Sequence, residues 1–109
     1  MVEKRPILFN GHDISYKNTV TDWKLFSQNT DFVIIHCCSG DEETGKLDDK
    51  WDEYIKNAVR YRVPRGAYIY SHANSAEDVA KEADFILKHI SKYEFQYPIY
   101  FDIDDDHIW

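Results

Sequence analysis

The sequence predicts an α/β fold in which strands and helices follow one another in the order β-α-β-α-β-α-β. Short apolar runs of the kind found in buried strands alternate with amphipathic stretches of helical spacing. Polar residues follow these runs, as expected where the carboxyl ends of parallel strands form a site. The alternation implies parallel strands joined by right-handed crossovers. An open doubly wound sheet and part of a (β/α) barrel both fit this pattern.

The first half of the chain contains two predicted strands and one predicted helix. Residues 7–9 form a short apolar run that predicts the first strand. Residues 22–28 carry three large apolar side chains and predict a short helix. Residues 32–35 are continuously apolar, which is typical of a strand buried on both faces.

The second half repeats the alternation. Residues 47–61 predict a helix, because their apolar side chains recur at three- and four-residue spacing. Residues 67–70 predict the third strand. Ser75 is a predicted helix cap with an acidic residue three positions later, and the helix runs to about residue 91. Residues 97–101 predict the fourth strand.

Composition limits the classes of function. The 109 residues are expected to form a single domain, residues 1–109, with a modest core. A net charge of -7 argues against nucleic-acid binding, which requires a basic surface. No stretch approaches the roughly 20 apolar residues of a membrane span, and no secretory signal is expected at the start. Cys37 and Cys38 are adjacent, so no disulfide framework is expected.

The most informative motif is the acidic end of the fourth predicted strand. Asp102 and Asp104 alternate with apolar residues, so they share one face of a strand. Neighbouring carboxylates push their pKa values apart, which gives one site both a proton donor and a charged base. This pattern indicates a hydrolase or a metal site.

Other polar residues fall at the predicted carboxyl ends of strands. Because parallel strands end at one edge of a sheet, these side chains are expected to converge there with the acidic pair. They are Asp13, His36, Tyr70 and His72.

Seven short segments, in order and spanning nearly the whole chain, resemble the amino-terminal part of family 25 glycoside hydrolases, the Chalaropsis-type lysozymes or N-acetylmuramidases. The segments are Gly11-His12-Asp13-Ile14-Ser15, Asp22-Trp23-Lys24, Asp31-Phe32-Val33-Ile34-Ile35, Asp49-Lys50-Trp51 with Asn57, Gly66-Ala67-Tyr68-Ile69-Tyr70-Ser71, Glu82-Ala83-Asp84-Phe85, and Tyr97-Pro98-Ile99-Tyr100-Phe101-Asp102-Ile103-Asp104.

The resemblance implies a partial (β/α) barrel and cleavage of the β-1,4 bond between N-acetylmuramic acid and N-acetylglucosamine in peptidoglycan. It implies no metal and no organic cofactor. The family's general acid falls on Asp104, the group that supports the developing positive charge falls on Asp102, and a further cleft carboxylate falls on Asp13. Tyr70 matches a cleft aromatic that contacts sugar, and His36 is expected to contact substrate beside it.

Three departures from the family pattern bear on activity. Position 104 is Asp rather than Glu, which withdraws the carboxyl by about 1.5 Å. His36 stands where an Arg is usual. The four predicted strands do not close a barrel, so self-association through the open side is expected. Activity is therefore expected to be reduced or lost, and the alternative is a non-catalytic remnant that binds glycan or assembles.

Three further interpretations rest on the acidic and histidine residues. The Asp102-Ile103-Asp104 motif also resembles the Mg²⁺-binding pair of haloacid-dehalogenase-type phosphatases, but there it follows the first strand. The five histidines are scattered and are expected to have ordinary polar roles rather than to bind metal. Residues 41–43 and 48–49 are expected to be solvated loop and cap charges.

Overall fold

Strands and helices alternate along the chain, as the sequence predicts. The computed structural model describes residues 10–40 and 45–103. In chain order the elements are β1 (Gly11–Ile14), α1 (Trp23–Asn29), β2 (Phe32–Ser39), β3 (Lys46–Leu47), α2 (Trp51–Arg60), β4 (Arg65–Ser71), α3 (Ala76–Ile90) and β5 (Ile99–Ile103).

The strands form one sheet in the order β1-β2-β4-β5, with every neighbouring pair parallel. The short strand β3 pairs antiparallel with the end of β2 and lies off this path. This topology confirms the predicted α/β class. Strand β3 was not predicted, because Leu47 was placed at the start of a helix.

Helices α2 and α3 cover one face of the sheet, and their apolar stripes form the core with it. On α2, residues Trp51, Tyr54, Ile55 and Ala58 are buried, which is the three- and four-residue spacing of one helix face. On the sheet this face carries Val33, Ile35, Ala67 and Ile69, all fully buried. Alternate strand residues point to this face, so their neighbours must point to the opposite one.

Polar caps set where two of the helices begin. The Ser75 side chain accepts a hydrogen bond from the backbone N–H of Asp78 at 3.1 Å, as its position in the sequence predicts. Asp22 accepts from the backbone N–H of Leu25 in the same way at the start of α1. None of the helices in the described part of the chain is long and apolar enough to cross a membrane.

The opposite face of the sheet carries a second set of side chains. The sequence predicts that this inner face is formed by residues 9, 35, 69 and 101 or by their neighbours. At positions 35 and 69 the neighbours occupy it, Phe101 itself lines its cavity, and residue 9 lies outside the described residues. Ile35 and Ile69 belong to the helix-side core, whereas Ile34 and Tyr68 line a cavity on the other face. Near the start of the strands, Phe32 stacks on Tyr97 with ring centroids 4.6 Å apart.

Several strand boundaries differ from prediction. The predicted first strand, residues 7–9, lies outside the described residues. Strand β1 is instead Gly11–Ile14, so Asp13 lies within a strand rather than after it. Strand β2 continues to Ser39, four residues beyond its predicted end, because pairing with β4 carries the polar His36 and Ser39 into the ladder. Asp102 likewise lies within β5.

Candidate active site

A bulge in β2 places His36 and Ser39 on the same face of the sheet. His36 pairs with Tyr68 and Cys38 pairs with Ile69, so Cys37 is an extra residue in β2. Strand residues three apart normally point to opposite faces, but one inserted residue restores the alignment. Ser39 consequently pairs with Tyr70, and both line a cavity with His36.

Asp48 holds the imidazole of His36 from the side. Its Oδ2 atom lies 2.6 Å from His36 Nδ1, and both side chains are buried. Strand β3 positions Asp48, whose backbone N–H also donates to the carbonyl of the bulged Cys37 at 2.8 Å. The prediction that Asp48 is a solvated charge is therefore wrong. Sequence reasoning missed it because its burial depends on the unpredicted strand β3.

Two of the three predicted catalytic carboxylates are brought together. Asp13 on β1 and Asp102 on β5 line the same cavity of about 480 Å³ on the open face, and both are exposed. Aromatic and aliphatic side chains form the rest of its wall: Phe32, Ile34, Tyr68, Tyr97, Tyr100 and Phe101. Asp104 lies outside the described residues.

Tyr68 lies on β4, on the face of these carboxylates, and was not singled out from the sequence. Burial is the main cause that raises the pKa of Tyr68 to about 12, and the charges of Asp13 and Asp102 add to it. Its hydroxyl is therefore protonated at neutral pH and can donate a hydrogen bond. The available sequence signal was the spacing of Tyr68 and Tyr70, which puts both on one strand face.

Tyr70 and His36, the predicted substrate contacts, line a second cavity on the same face. Its volume is about 470 Å³, and Asp102 contributes to its wall as well as to the first cavity. The His36 and Tyr68 ring centroids are 4.9 Å apart, and those of Tyr70 and His72 are also 4.9 Å apart. The predicted residues other than Asp104 therefore lie along two adjoining cavities that share Asp102.

A buried carboxylate supports the ends of β2 and β4. Glu82 on α3 is 3% exposed and accepts hydrogen bonds from Ser71 Oγ at 2.7 Å and from the backbone N–H of His72 at 3.0 Å. Gly40 leaves room for it, since a Cβ at Gly40 would lie 1.7 Å from Glu82 Oε2. Glu82 thereby fixes the chain that follows Tyr70.

The titratable groups of the described residues do not form a metal centre. No group of three or more His, Cys, Asp or Glu side chains with suitable placement exists within residues 10–40 and 45–103. Cys37 and Cys38 are free and buried. A hydrogen bond with Cys38, followed by burial, raises the pKa of the Cys37 thiol, which makes it a poor ligand and nucleophile.

Fold and site together define a class: a partial (β/α) barrel whose open face carries carboxylates and tyrosines. Residues 12–107 match the family model of glycosyl hydrolases family 25, so the chain belongs to this family. This confirms the family inferred from the seven segments. A comparison with curated proteins gave no match.

Solved structures show the same fold. The chain is similar to the modular autolysin LytC from Streptococcus pneumoniae, solved in complex with a synthetic peptidoglycan ligand, with a TM-score of 0.78 and 29% identity over 89% of this chain and 23% of that one. The Clostridium perfringens spore cortex lytic enzyme SleM gives a TM-score of 0.76 at 18% identity, over 94% of this chain and 34% of that one. The CTP1L endolysin gives 0.69 at 21% identity, over 84% and 33%.

The chain thus spans between about a quarter and a third of the length of these structures. The sheet β1-β2-β4-β5 is a partial barrel, as predicted.

Proposed function

We propose that the chain carries the acidic half of a muramidase site, which cleaves the β-1,4 bond between N-acetylmuramic acid and N-acetylglucosamine in peptidoglycan. The observation that carries the proposal is the shared cavity of Asp13 and Asp102, on strands from opposite edges of the sheet. Family membership and the peptidoglycan ligand of LytC support the choice of glycan.

The proposed chemistry divides the work among three carboxyl groups. Asp104 protonates the leaving oxygen of the glycosidic bond, and Asp102 supports the positive charge that develops at the anomeric carbon. Asp13 adds a second negative charge to the same cavity. Tyr68, which keeps its proton at neutral pH, is a hydrogen-bond donor beside both. No step requires a metal or an organic cofactor.

Sugar recognition is assigned to the second cavity. Tyr70 offers a ring face and a hydroxyl, which suits the alternating apolar and polar surfaces of a pyranose. His36 is held by Asp48, so its ring has a fixed orientation when a glycan enters. Asp102 lies in both cavities and would join sugar binding to bond cleavage.

Release of reducing ends from purified peptidoglycan, together with loss of cell-wall turbidity, tests this function. The 109-residue chain is expected to act weakly, because a carboxyl displaced by about 1 Å costs roughly 10²-fold in rate. Asp104→Glu should raise the rate without restoring full family activity. Asp102→Asn should abolish it, whereas Asp52→Asn, an exposed change on α2, should leave it unchanged. Activity that survives Asp102→Asn would refute the assignment.

A second candidate is a non-catalytic glycan-binding protein. The shorter acid at position 104 and the aromatic wall of the first cavity favour it. Sedimentation with insoluble peptidoglycan separates the two functions. A binder would keep its affinity in Asp102→Asn and lose it in Tyr100→Ala, and would release no reducing ends.

We also propose that the open face associates with a second copy of the chain. Within the described residues, β1 and β5 are the edges of the sheet, and Tyr100 and Phe101 are exposed on β5. Unpaired edges and exposed aromatic side chains both favour association.

A further inference from the structure

Three side chains on the open face form a continuous hydrogen-bonded series from carboxylate to imidazole to hydroxyl. Asp48 Oδ2 lies 2.6 Å from His36 Nδ1, and His36 Nε2 lies 3.1 Å from Ser39 Oγ. The carboxylate meets one ring nitrogen and the serine meets the other. This is the connectivity by which a hydroxyl is activated as a nucleophile, and it is recognised by geometry rather than by order along the chain.

The proton positions follow from the partners of Asp48. The backbone N–H groups of Tyr16 and Lys50 also donate to this carboxylate, at 3.0 and 2.7 Å. A carboxylate with such partners acts as an acceptor, so His36 Nδ1 must carry the proton between them. In a neutral imidazole Nε2 then has the free lone pair, and the hydrogen bond between Ser39 and His36 must be donated by the serine hydroxyl.

The bulge at Cys37 is what assembles the series. In a regular strand of the same sequence, Ser39 would lie three positions after His36 and would point to the helix side, away from it. Bulges are enriched beside active sites, where they redirect a side chain. Here the bulge is fixed in place by the hydrogen bond from the Asp48 backbone to the Cys37 carbonyl, so the same residue supports both the bulge and the imidazole.

Ser39 is also accessible to a ligand. It is half-buried and lines the cavity of about 470 Å³ that contains Tyr68 and Lys17. The hydroxyl of Tyr68 is a protonated donor in that cavity, and the ammonium of Lys17 is another. Such donors are the groups that stabilise negative charge on a reacting carbonyl oxygen.

We propose that Ser39 is a nucleophile toward small carboxylic esters, with His36 as its general base and Asp48 as the positioning residue. The three residues of this series are different from the carboxylates assigned to glycan cleavage, although Asp102 lines the same cavity. The proposal does not depend on that activity.

The reaction divides into two balanced halves. Ser39 Oγ forms a bond to the ester carbonyl carbon while its proton moves to His36 Nε2, and the C–O bond to the alcohol then breaks as Nε2 returns the proton to the leaving oxygen. Water next gives a proton to Nε2 and attacks the acyl carbon. The Oγ–C bond breaks, the proton returns to Ser39, and a carboxylic acid leaves.

A fluorophosphonate probe tests the nucleophile directly on the full 109-residue chain. Ser39 attacks phosphorus, the P–F bond breaks, and a stable adduct remains for mass spectrometry and peptide mapping. The chain contains five other serines that serve as internal references: Ser15, Ser27, Ser71, Ser75 and Ser91. General-base assistance contributes about 10²-fold or more, so Ser39 should be labelled faster than the others by about that factor. Equal labelling of all exposed serines would overturn the proposal without any variant being made.

Variants locate the source of the reactivity. His36→Gln should lower the labelling rate of Ser39 by about 10²-fold, and Asp48→Asn should also lower it. Circular dichroism and thermal unfolding establish that each variant is folded. Ser15→Ala is the matched control, because Ser15 lines the same cavity. Among the described residues, the Ser15 Oγ accepts a hydrogen bond from the backbone N–H of Lys17 and is not bonded to a histidine. A folded His36→Gln variant that labels at the original rate would contradict the assignment.

Discussion

At the scale of single residues, the cleft holds a tyrosine whose proton is unusually hard to remove. Tyr68 lies near Asp13 and Asp102, and a phenolate there would meet two negative charges after losing its contact with water. The hydroxyl therefore stays a donor over the whole range in which a lysozyme-type site would work. Carboxylates and a protonated phenol together give the cleft both hydrogen-bond acceptors and a donor, as the proposed binding of sugar hydroxyls requires.

Alkaline titration checks the state of Tyr68. Its pKa is raised to about 12 in the folded chain, against a value of about 10 when unfolded. Between these pH values the unfolded chain has lost a proton that the folded chain keeps, so the free energy of unfolding should fall as pH rises through this window. Tyr68→Phe should reduce that fall and remove one late step from the ultraviolet phenolate titration. An unchanged titration in the variant would show that Tyr68 ionises normally.

Asp48 should be far more important to stability than its neighbour Asp49. Asp48 accepts hydrogen bonds from three donors, and Asp48→Asn leaves fewer acceptor sites for the same groups. The free energy of unfolding by urea should fall by about 1–3 kcal/mol. Asp49→Asn is the matched control, because Asp49 is exposed, and its effect should stay within about 0.5 kcal/mol. Similar losses in both variants would mean that the buried network contributes nothing specific.

At the scale of elements, helix and strand identity followed from local pattern, and exact ends did not. The apolar spacing of α2 and α3 predicts both helices, because a stripe of that spacing must be buried. The last four residues of β2 were missed, since His36, Cys37, Cys38 and Ser39 lack the continuous apolar character of the first four. Their extended form depends on pairing with β3 and β4, which the local sequence pattern does not reveal.

The candidate site was predictable only in part, for the same reason. Asp13, His36, Tyr70 and Asp102 were found because residues at the ends of parallel strands must meet at one edge. The hydrogen bonds of Asp48 and Glu82 were not found. Each requires a register that local pattern cannot supply: Asp48 needs β3, and Glu82 must face the loop after β4 from the first half of α3.

The contact between α3 and the end of β2 predicts a coupled effect at Gly40 and Glu82. Gly40→Ala would place a methyl group against a buried carboxylate that is held by two hydrogen bonds, and should cost about 1–3 kcal/mol of unfolding free energy. In a Glu82→Ala background the same change should cost much less, because the obstructing carboxylate is gone. A double-mutant cycle by urea denaturation measures the difference. Additive costs would show that Gly40 is needed for some other reason.

At the scale of the whole molecule, helices cover one face of the sheet, and none of the described helices covers the other face. We expect the mean mass in solution to exceed 13.0 kDa and to rise with concentration, as two open faces meet. A net charge of -7 opposes this contact, so added salt should strengthen association by screening. Analytical ultracentrifugation across protein and salt concentrations provides the measurement.

Two matched variants test which face associates. Tyr100→Lys adds charge to the open side, where Tyr100 is 46% exposed, and should shift the chain toward monomer. Leu87→Lys adds the same charge to a 54% exposed position on α3, on the helix side, and should have little effect. The reverse order would place the contact on the helices, and a monomer at all concentrations would exclude it.

The inserted Cys37 determines whether odd- or even-numbered residues of β2 face the helices. Before it, odd-numbered residues such as Val33 and Ile35 belong to the helix-side core, and after it the even-numbered Cys38 does. If Cys37 instead took an ordinary place in the ladder, inside and outside would be exchanged over the end of β2. That slip of one residue would turn a serine toward the core and a thiol toward the cleft without replacing either one. The chemistry of this cleft thus depends on the alignment of β2 with its neighbour as much as on the identity of its residues.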